Sequence, residues 1–237
     1  MRVGLLSDVH GNLAGLRAVA EALDRAGPLD LVVVAGDLVQ GGPRPREVWE
    51  FLVARGWTLL RGNEDEALGA GRIAHGEYPP HLRASAQAQI AWTRKQLGGE
   101  ILAGLVALGF DVRVPTPAGE LLVVHSSPRG TGDRRGGPHN TLQEVVEGYA
   151  GTGATAIAFG HYHSSFVRTV PFGLLINVAS VGLPPSGDPL AAYTILTATP
   201  DGWIVEQRHV PYDLTEEQAA AAAAGMPPWE VEPTERG

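Results

Sequence analysis

The amino-acid sequence predicts an α/β fold with a mixed β-sheet, and two observations carry that prediction. Short apolar runs rich in β-branched residues, each bounded by glycine or proline, recur through most of the chain, as expected of buried strands. Helical patterns separate the first of these runs, whereas the later runs follow one another without long helices between them. Strands joined by helices favour parallel pairing and strands joined directly favour antiparallel pairing, so both kinds are expected.

Seven strands are predicted, with helices between the first of them. The strands cover residues 3–6, 31–35, 58–60, 121–124, 156–159, 174–178 and 193–197. Asn12 is expected to cap a helix that stops at Gly27, and a second helix is expected over 46–55, closed by Gly56. Between residues 64 and 110 the pattern changes to alanine-rich helix, which predicts a helical insertion.

A single domain is expected over residues 1–212, followed by a C-terminal helix and a loose tail over 213–237. A chain of 237 residues is long enough for one large domain with a sizeable core. Thr215 begins a capping pattern, six alanines follow at 219–224, and Gly225 ends the predicted helix.

The composition excludes several classes of protein. The net charge of −8 repels DNA, RNA and anionic membrane surfaces, so neither general nucleic-acid binding nor membrane binding is expected. The absence of cysteine excludes disulfides, thiolate catalysis and cysteine-bound zinc. The apolar stretch at the N-terminus is too short for a signal peptide, and no apolar run approaches ~20 residues. These features predict a cytoplasmic protein.

Polar side chains with metal-ligating chemistry follow five of the apolar runs. Open α/β sheets place their sites beyond the carboxyl ends of strands, so these residues are expected to lie along one edge. Each has an ordinary alternative: Asp8 could cap a helix, Asp37 could belong to a turn, and His125 could be a buried histidine without a ligand. Seven such residues at one edge favour a metal site instead: Asp8, His10, Asp37, Asn63, His125, His161 and His163.

The types of ligand indicate which metals could bind. Carboxylate, amide and imidazole groups without thiolate suit manganese, iron, cobalt or zinc. Seven ligands exceed the need of one ion, so two ions sharing a bridging carboxylate are predicted. Such pairs clamp a phosphoryl oxygen and lower the pKa of bound water toward ~7, which supplies hydroxide for the hydrolysis of a phosphate ester.

The ordered motifs resemble those of the calcineurin-like metallophosphoesterases. The motifs are Asp8-Val9-His10, Gly36-Asp37, Gly62-Asn63-Glu64-Asp65, His125 and Gly160-His161-Tyr162-His163. The resemblance implies an αββα sandwich of two mixed sheets with the metal site along one edge. It implies a cofactor of two divalent ions, manganese foremost, with iron, cobalt, nickel or zinc as alternatives.

The resemblance also implies a role for each site residue. One ion is assigned to Asp8, His10 and His163, the other is assigned to Asn63, His125 and His161, and Asp37 is the bridge. Asn63 and His161 are further expected to act in catalysis, and Asn63 to contact the substrate phosphate. Arg129, on a loop near the predicted site, is a candidate for substrate binding, with a solvated surface role as its alternative.

Glu64 departs from the family pattern. Many relatives carry a histidine at this position that protonates the leaving group. A glutamate with a pKa near ~4.3 would be ionised at neutral pH and would repel phosphate unless burial raised that pKa. The subgroup that lacks this histidine tends to favour phosphodiesters or activated esters over ordinary monoesters, so phosphodiesterase activity on a small nucleotide-like or other phosphodiester is predicted. The alternatives are a dinucleotide polyphosphate hydrolase, a protein phosphatase or a binding scaffold without activity.

Other polar residues are weaker candidates for the site. Four more arginines could bind a second phosphate, although a surface role is the simpler interpretation: Arg44, Arg61, Arg134 and Arg135. Three histidines could replace the missing acid: His75, His81 and His139.

Overall fold

The computed structural model describes residues 1–74 and 80–228, and ten strands and six helices lie in those ranges. In chain order the elements are β1 (Arg2–Leu6), α1 (Leu13–Arg25), β2 (Leu31–Val34), α2 (Pro45–Arg55), β3 (Thr58–Leu59), α3 (Asn63–Ala70), α4 (Pro80–Ala107), β4 (Asp111–Thr116), β5 (Gly119–Val124), α5 (Leu142–Tyr149), β6 (Ala156–Phe159), β7 (Ser165–Val170), β8 (Gly173–Val178), β9 (Leu190–Thr199), β10 (Gly202–Pro211) and α6 (Leu214–Ala224).

The strands form two five-stranded mixed sheets. The first has the order β10-β9-β1-β2-β3, with β1, β2 and β3 parallel and β9 and β10 antiparallel. The second has the order β4-β5-β6-β8-β7, with β5, β6 and β8 parallel and both edge strands antiparallel. The prediction of an α/β fold with mixed pairing is therefore confirmed.

Three hydrophobic clusters separate four layers. Alternate residues of β1 and β5, such as Leu5 and Leu121, are buried between the two sheets. The outer face of the first sheet is covered by α1, α2 and α4, with Leu16 and Leu97 in that cluster. The outer face of the second sheet packs on α5 through Tyr149. This arrangement confirms the predicted αββα sandwich, since each sheet buries one face against helices and the other against its partner sheet.

The first helices begin and end where the local sequence predicts. Asn12 caps α1, and its side-chain oxygen accepts a hydrogen bond of 2.8 Å from the backbone N–H of Gly15. Gly56 ends α2 in the left-handed conformation that glycine adopts at low cost. Both helices return the chain to the sheet, so that the ends of β1 and β2 lie side by side.

Three strands were not predicted, and all three lie at sheet edges: β4, β7 and β10. In β4 only Val114 is buried, so the segment lacks the continuous apolar run of a central strand. Edge strands expose one side to water, which allows charged residues such as Arg113 and Arg208 within them. The helical insertion expected at 64–110 corresponds to α3 and α4, whose non-helical Gly98 divides α4.

The C-terminal helix α6 is anchored by a buried carboxylate. Asp213 caps it, two residues before the predicted cap, and accepts a hydrogen bond of 2.8 Å from the N–H of Thr215. Glu217 is 5% exposed; it accepts a hydrogen bond of 2.7 Å from the N–H of Ala14 and pairs with Arg44. Because Ala14 lies in the first turn of α1, Glu217 satisfies an N–H that the helix itself leaves unpaired. The described part of the tail, residues 226–228, continues along α4 through Gln89 and Ser85.

Replacing Glu217 with alanine is expected to lower the free energy of unfolding by about 3 kcal/mol, because the change leaves the Ala14 N–H without its acceptor and takes from Arg44 the buried one of its two carboxylate partners. Urea unfolding followed by circular dichroism would measure the loss. Glu216→Ala is the matched control: this neighbour also pairs with Arg44, at 2.7 Å, but its side chain is 45% exposed. Its cost should stay below about 1 kcal/mol. Equal losses in the two variants would contradict the anchoring role of Glu217.

Candidate metal centre

The seven predicted residues converge at the carboxyl ends of β1, β2, β5 and β6 and at the start of α3. Five of them have left-handed backbone with φ between 49° and 68°: Asp8, His10, Asp37, His161 and His163. Such a conformation costs a residue other than glycine about 1 kcal/mol or more, so it persists only where surrounding contacts enforce it. Strained backbone of this kind concentrates at functional sites.

The first group contains Asp8, His10 and His163. The Nδ1 atom of His10 lies 2.8 Å from the carbonyl of Gln40, which can only accept, so Nδ1 is the donor. With Nδ1 donating to this carbonyl, the ring directs Nε2 into the site, 3.2 Å from Nε2 of His163 and 3.7 Å from Oδ1 of Asp8. His163 Nε2 also lies 3.2 Å from the same Asp8 oxygen. Three donor atoms thus face one point.

The second group contains Asn63, His125 and His161. His125 donates through Nδ1 to the carbonyl of Ala35 at 2.7 Å, and its Nε2 lies 3.0 Å from Oδ1 of Asn63. His161 approaches the same amide oxygen with its Nδ1 at 2.8 Å. Its backbone N–H donates to Oδ2 of Asp8 at 2.9 Å, which links the two groups.

Asp37 lies between the groups. Its Oδ1 accepts a hydrogen bond of 2.9 Å from the backbone N–H of Glu64. Its Oδ2 lies 3.3 Å from Nε2 of His125 and 3.9 Å from Nε2 of His10, so one oxygen faces a histidine of each group. Asp37 therefore links the two groups through a single carboxylate oxygen.

The donor set fits cations. Lone pairs of imidazole nitrogens face carboxylate and amide oxygens, and only a proton or a metal ion placed between such acceptors relieves their repulsion. Oδ1 of Asp8 is fully buried and has no hydrogen-bond partner of normal geometry among the described residues. The ligand atoms of Asp8, His10 and His163 lie within 4.8 Å of one another, as do those of Asp8, Asp37 and His125. Nitrogen and oxygen donors without sulfur suit manganese, iron, cobalt or zinc.

The pKa values show how negative the site is. Burial alone would lower the pKa of His10, but its hydrogen bond with Asp8 and the charge of Asp37 raise that pKa to about 9. Burial opposes the same effect at His125, where the charge of Asp37 and the contact with it raise the pKa to about 10. Burial would raise the pKa of Asp8, yet the imidazoles of His163 and His10 hold it well below its usual value. The site therefore favours positive charge between its ligands.

Asp65 holds two of the site loops together. Its carboxylate is fully buried and accepts hydrogen bonds from the backbone N–H of Leu38, at 3.0 and 3.3 Å, and of Gly62, at 2.9 Å. Leu38 follows Asp37, and Gly62 precedes Asn63. The sequence analysis gave Asp65 no role, although an acid three residues after the N-cap, here Gly62, is typical of helix capping.

Glu64 lies at the site with a raised pKa. Burial and the charge of Asp37 raise the pKa of its carboxyl group to about 8. The sequence analysis predicted that Glu64 would repel a phosphate less if burial raised its pKa, and burial does raise it. The backbone N–H of Glu64 donates a hydrogen bond to Asp37, so this residue orients a candidate ligand through its main chain and faces the site with its side chain.

The remaining candidates lie outside this cluster of ligands. Arg129 donates through Nε to the carbonyl of Glu147 on α5, and its role in substrate binding stays a prediction. Ion pairs engage three of the other arginines: Arg44 with Glu216 and Glu217, Arg61 with Glu66, and Arg135 with Asp133. His75 lies outside the described residues. In the part of the chain that is described, no helix is long and apolar enough to cross a membrane.

The fold and the site together define a metal-dependent phosphoesterase. The family model of the calcineurin-like phosphoesterase superfamily domain matches residues 1–201, and the chain belongs to this family, as its motifs predicted. A metallophosphoesterase from Sphaerobacter thermophilus is 30% identical, with 96% of this chain and 95% of that chain covered and a TM-score of 0.71. A hypothetical protein from Pyrococcus horikoshii OT3 is 20% identical, with 95% and 94% covered and a TM-score of 0.78.

A third solved structure shares the fold at lower similarity. The phosphoesterase Yfce from E. coli is 19% identical, with 89% of this chain and 100% of that chain covered and a TM-score of 0.50. Comparison with curated proteins gave no match. The family supports hydrolysis of phosphoesters with divalent metal ions, and two sets of side chains lie close enough together to hold an ion: Asp8, His10 and His163, and Asp8, Asp37 and His125.

Proposed function

We propose that this chain is a phosphodiesterase that uses two divalent metal ions, manganese foremost, to hydrolyse a small phosphodiester. The observation that carries the proposal is the position of Asp37 Oδ2 between His125 and His10, 3.3 and 3.9 Å away, with two further ligands on either side. When bound, such a pair of ions polarises phosphoryl oxygens and activates water near neutral pH. Asp8, His10 and His163 would hold one ion, and Asn63, His125 and His161 the other.

The chain's own residues orient the reaction. Because Oδ1 of Asn63 faces both His125 and His161, its amide N–H₂ points away from them and is free to donate to a phosphate oxygen. The carbonyls of Gln40 and Ala35 keep protons on the Nδ1 atoms of His10 and His125, so their Nε2 atoms remain available as ligands. Hydrolysis then adds water across one P–O ester bond and leaves a phosphate monoester and an alcohol.

The preference for diesters rests on the chemistry at position 64. A carboxyl group does not supply the positive charge of an imidazolium, which would favour the dianion of a monoester. A diester carries one negative charge at neutral pH, so the acidic residues around the site repel it less. A small phosphoester as the substrate, rather than nucleic acid, is proposed on the net charge.

The test compares bis(p-nitrophenyl) phosphate with p-nitrophenyl phosphate, after metal stripping and readdition of Mn²⁺. We expect kcat/KM for the diester to exceed that for the monoester by at least about tenfold, and Glu64→His to shift this ratio toward the monoester by about tenfold, since an imidazole can act as a general acid. Glu66→His, which places an imidazole two residues further along α3, should leave the ratio unchanged.

Other outcomes would favour the alternatives. A preference for the monoester in the unmodified protein would support a phosphatase instead. Turnover of dinucleotide polyphosphates alone would support a polyphosphate hydrolase. Bound metal without turnover of any of these esters would support a binding scaffold.

A further inference from the structure

A cavity of about 350 Å³ opens beside His163, at the junction of the two sheets. The start of β7, the end of β8, the start of β9 and the end of β10 meet there. His163 forms part of its wall, and Nε2 of that histidine lies 3.2 Å from Oδ1 of Asp8. His163 thus belongs both to the candidate metal centre and to the wall of the cavity.

The lining of the cavity is mainly apolar, with hydroxyl groups among it. Buried Ala179 and Ala192 contribute methyl groups, and Pro184 and Leu190 provide apolar walls. Leu190 is 39% exposed, so a ligand in the cavity would remove apolar surface from water. Ser164 is among the hydroxyl-bearing residues that add polar groups. Mainly apolar lining with a few polar groups is typical of small-molecule sites.

The cavity is built on a fixed frame. Ser180 donates from Oγ to the carbonyl of Asp8 at 2.8 Å and accepts from the N–H of Leu183 at 2.8 Å, which ties the cavity to β1. Its carbonyl accepts from the N–H of Ala192 at 3.0 Å. Ala179 has φ of 61°, a costly conformation for alanine that these contacts enforce. A preformed site of this kind loses little entropy when a ligand binds.

We infer that this cavity is a subsite for a flat aromatic ring with polar edges, such as a nucleobase, attached to the phosphate that the metal centre holds. The inference deepens the proposed function and rests on it for the position of the phosphate. Prolines and a leucine match the apolar faces of a ring, and serine hydroxyls match the polar atoms of its edge. No lysine or arginine of the described chain lines the cavity, and the imidazole of His209 adds a further polar group to its wall.

The test fills the cavity with a larger side chain. Ser165 lines the cavity and is exposed at the start of β7, so Ser165→Trp should occupy the space of the ring. Thr169→Trp is the matched control, because Thr169 is exposed on the same strand at an even spacing and lies outside the cavity lining. Residues an even number apart in a strand share a face, so the two variants add the same side chain to the same face of β7.

Isothermal titration calorimetry on the Mn²⁺-loaded protein would compare thymidine 5′-monophosphate with methyl phosphate. We expect the nucleotide to bind about tenfold more tightly, the gain from covering one apolar face of the ring. Ser165→Trp should abolish this difference, and Thr169→Trp should preserve it. Equal affinity for the two phosphates, or an unchanged difference in Ser165→Trp, would overturn the inference.

The two proposals fail separately. Hydrolysis of bis(p-nitrophenyl) phosphate without any preference for the nucleotide would leave the phosphodiesterase standing and remove the subsite. A preference for the nucleotide without hydrolysis of the diester would support the subsite and contradict the phosphodiesterase. Saturation-transfer NMR with thymidine alone examines the cavity without metal: a signal in the unmodified protein and in Thr169→Trp, lost in Ser165→Trp, supports the subsite, and no difference between the two variants contradicts it.

Discussion

Asp37→Ala is expected to lower kcat/KM for a phosphodiester by a factor on the order of 10³ or more and to reduce the bound metal from two ions to one at most. The carboxylate is 3% exposed, and its Oδ2 faces His125 at 3.3 Å and His10 at 3.9 Å. Its removal takes a ligand from both proposed ions and separates the two groups. Metal analysis after gel filtration and initial-rate kinetics would measure both effects.

The control for Asp37→Ala is Asp24→Ala. Asp24 is an exposed acid near the end of α1, and it pairs with Arg55 at the end of α2. Among the described contacts, it has none with a residue of the metal centre. Metal content and turnover should be unchanged in this variant. Full turnover in Asp37→Ala would exclude the bridging role, and retention of two ions with lost turnover would assign Asp37 to catalysis alone.

Asp65→Ala is expected to lower the free energy of unfolding by about 3 kcal/mol and to reduce turnover by about 100-fold. The substitution removes the acceptor for two buried backbone N–H groups, those of Leu38 and Gly62. Those N–H groups would remain buried without a partner. The loops that carry Asp37 and Asn63 would also lose their common anchor, which displaces ligands of both groups.

Urea unfolding and initial rates on the same preparation would measure the two effects of Asp65→Ala. Asp65→Asn distinguishes the loss of charge from the loss of side-chain volume. The amide has a similar shape and retains one acceptor oxygen, but it carries no charge. It should be intermediate in both measurements. A stability no lower than that of Asp24→Ala, whose exposed ion pair contributes less than about 1 kcal/mol, would contradict the anchoring role of Asp65.

The strand-end residues were predictable because parallel strands bring their carboxyl ends to one edge whatever the details of packing. Asp8 and Asp37 follow β1 and β2, which pair in parallel, and His125 and His161 follow β5 and β6, which also pair in parallel. A local pattern of an apolar run followed by a polar residue therefore carries information about distant neighbours. The edge strands β4, β7 and β10 lack such runs, and for that reason the sequence did not predict them.

Contacts to the main chain left no trace in the sequence. The carbonyls of Gln40 and Ala35 orient His10 and His125, and any residue type would offer the same carbonyl. The anchoring of α6 joins Glu217 to Ala14, 203 residues apart, through one side chain and one backbone N–H. No periodicity or motif marks such a pair.

Strand periodicity was enough to predict an α/β fold with mixed pairing, and residue identity was enough to predict the types of ligand. The αββα class was predicted by the resemblance of the ordered motifs to the family. Tertiary structure decided which atoms face one another: the position of Asp37 between two groups, the left-handed backbone at five ligands and the cavity beside His163. These features arise where two sheets meet, and the geometry of that junction depends on packing across the whole core rather than on any local stretch of sequence.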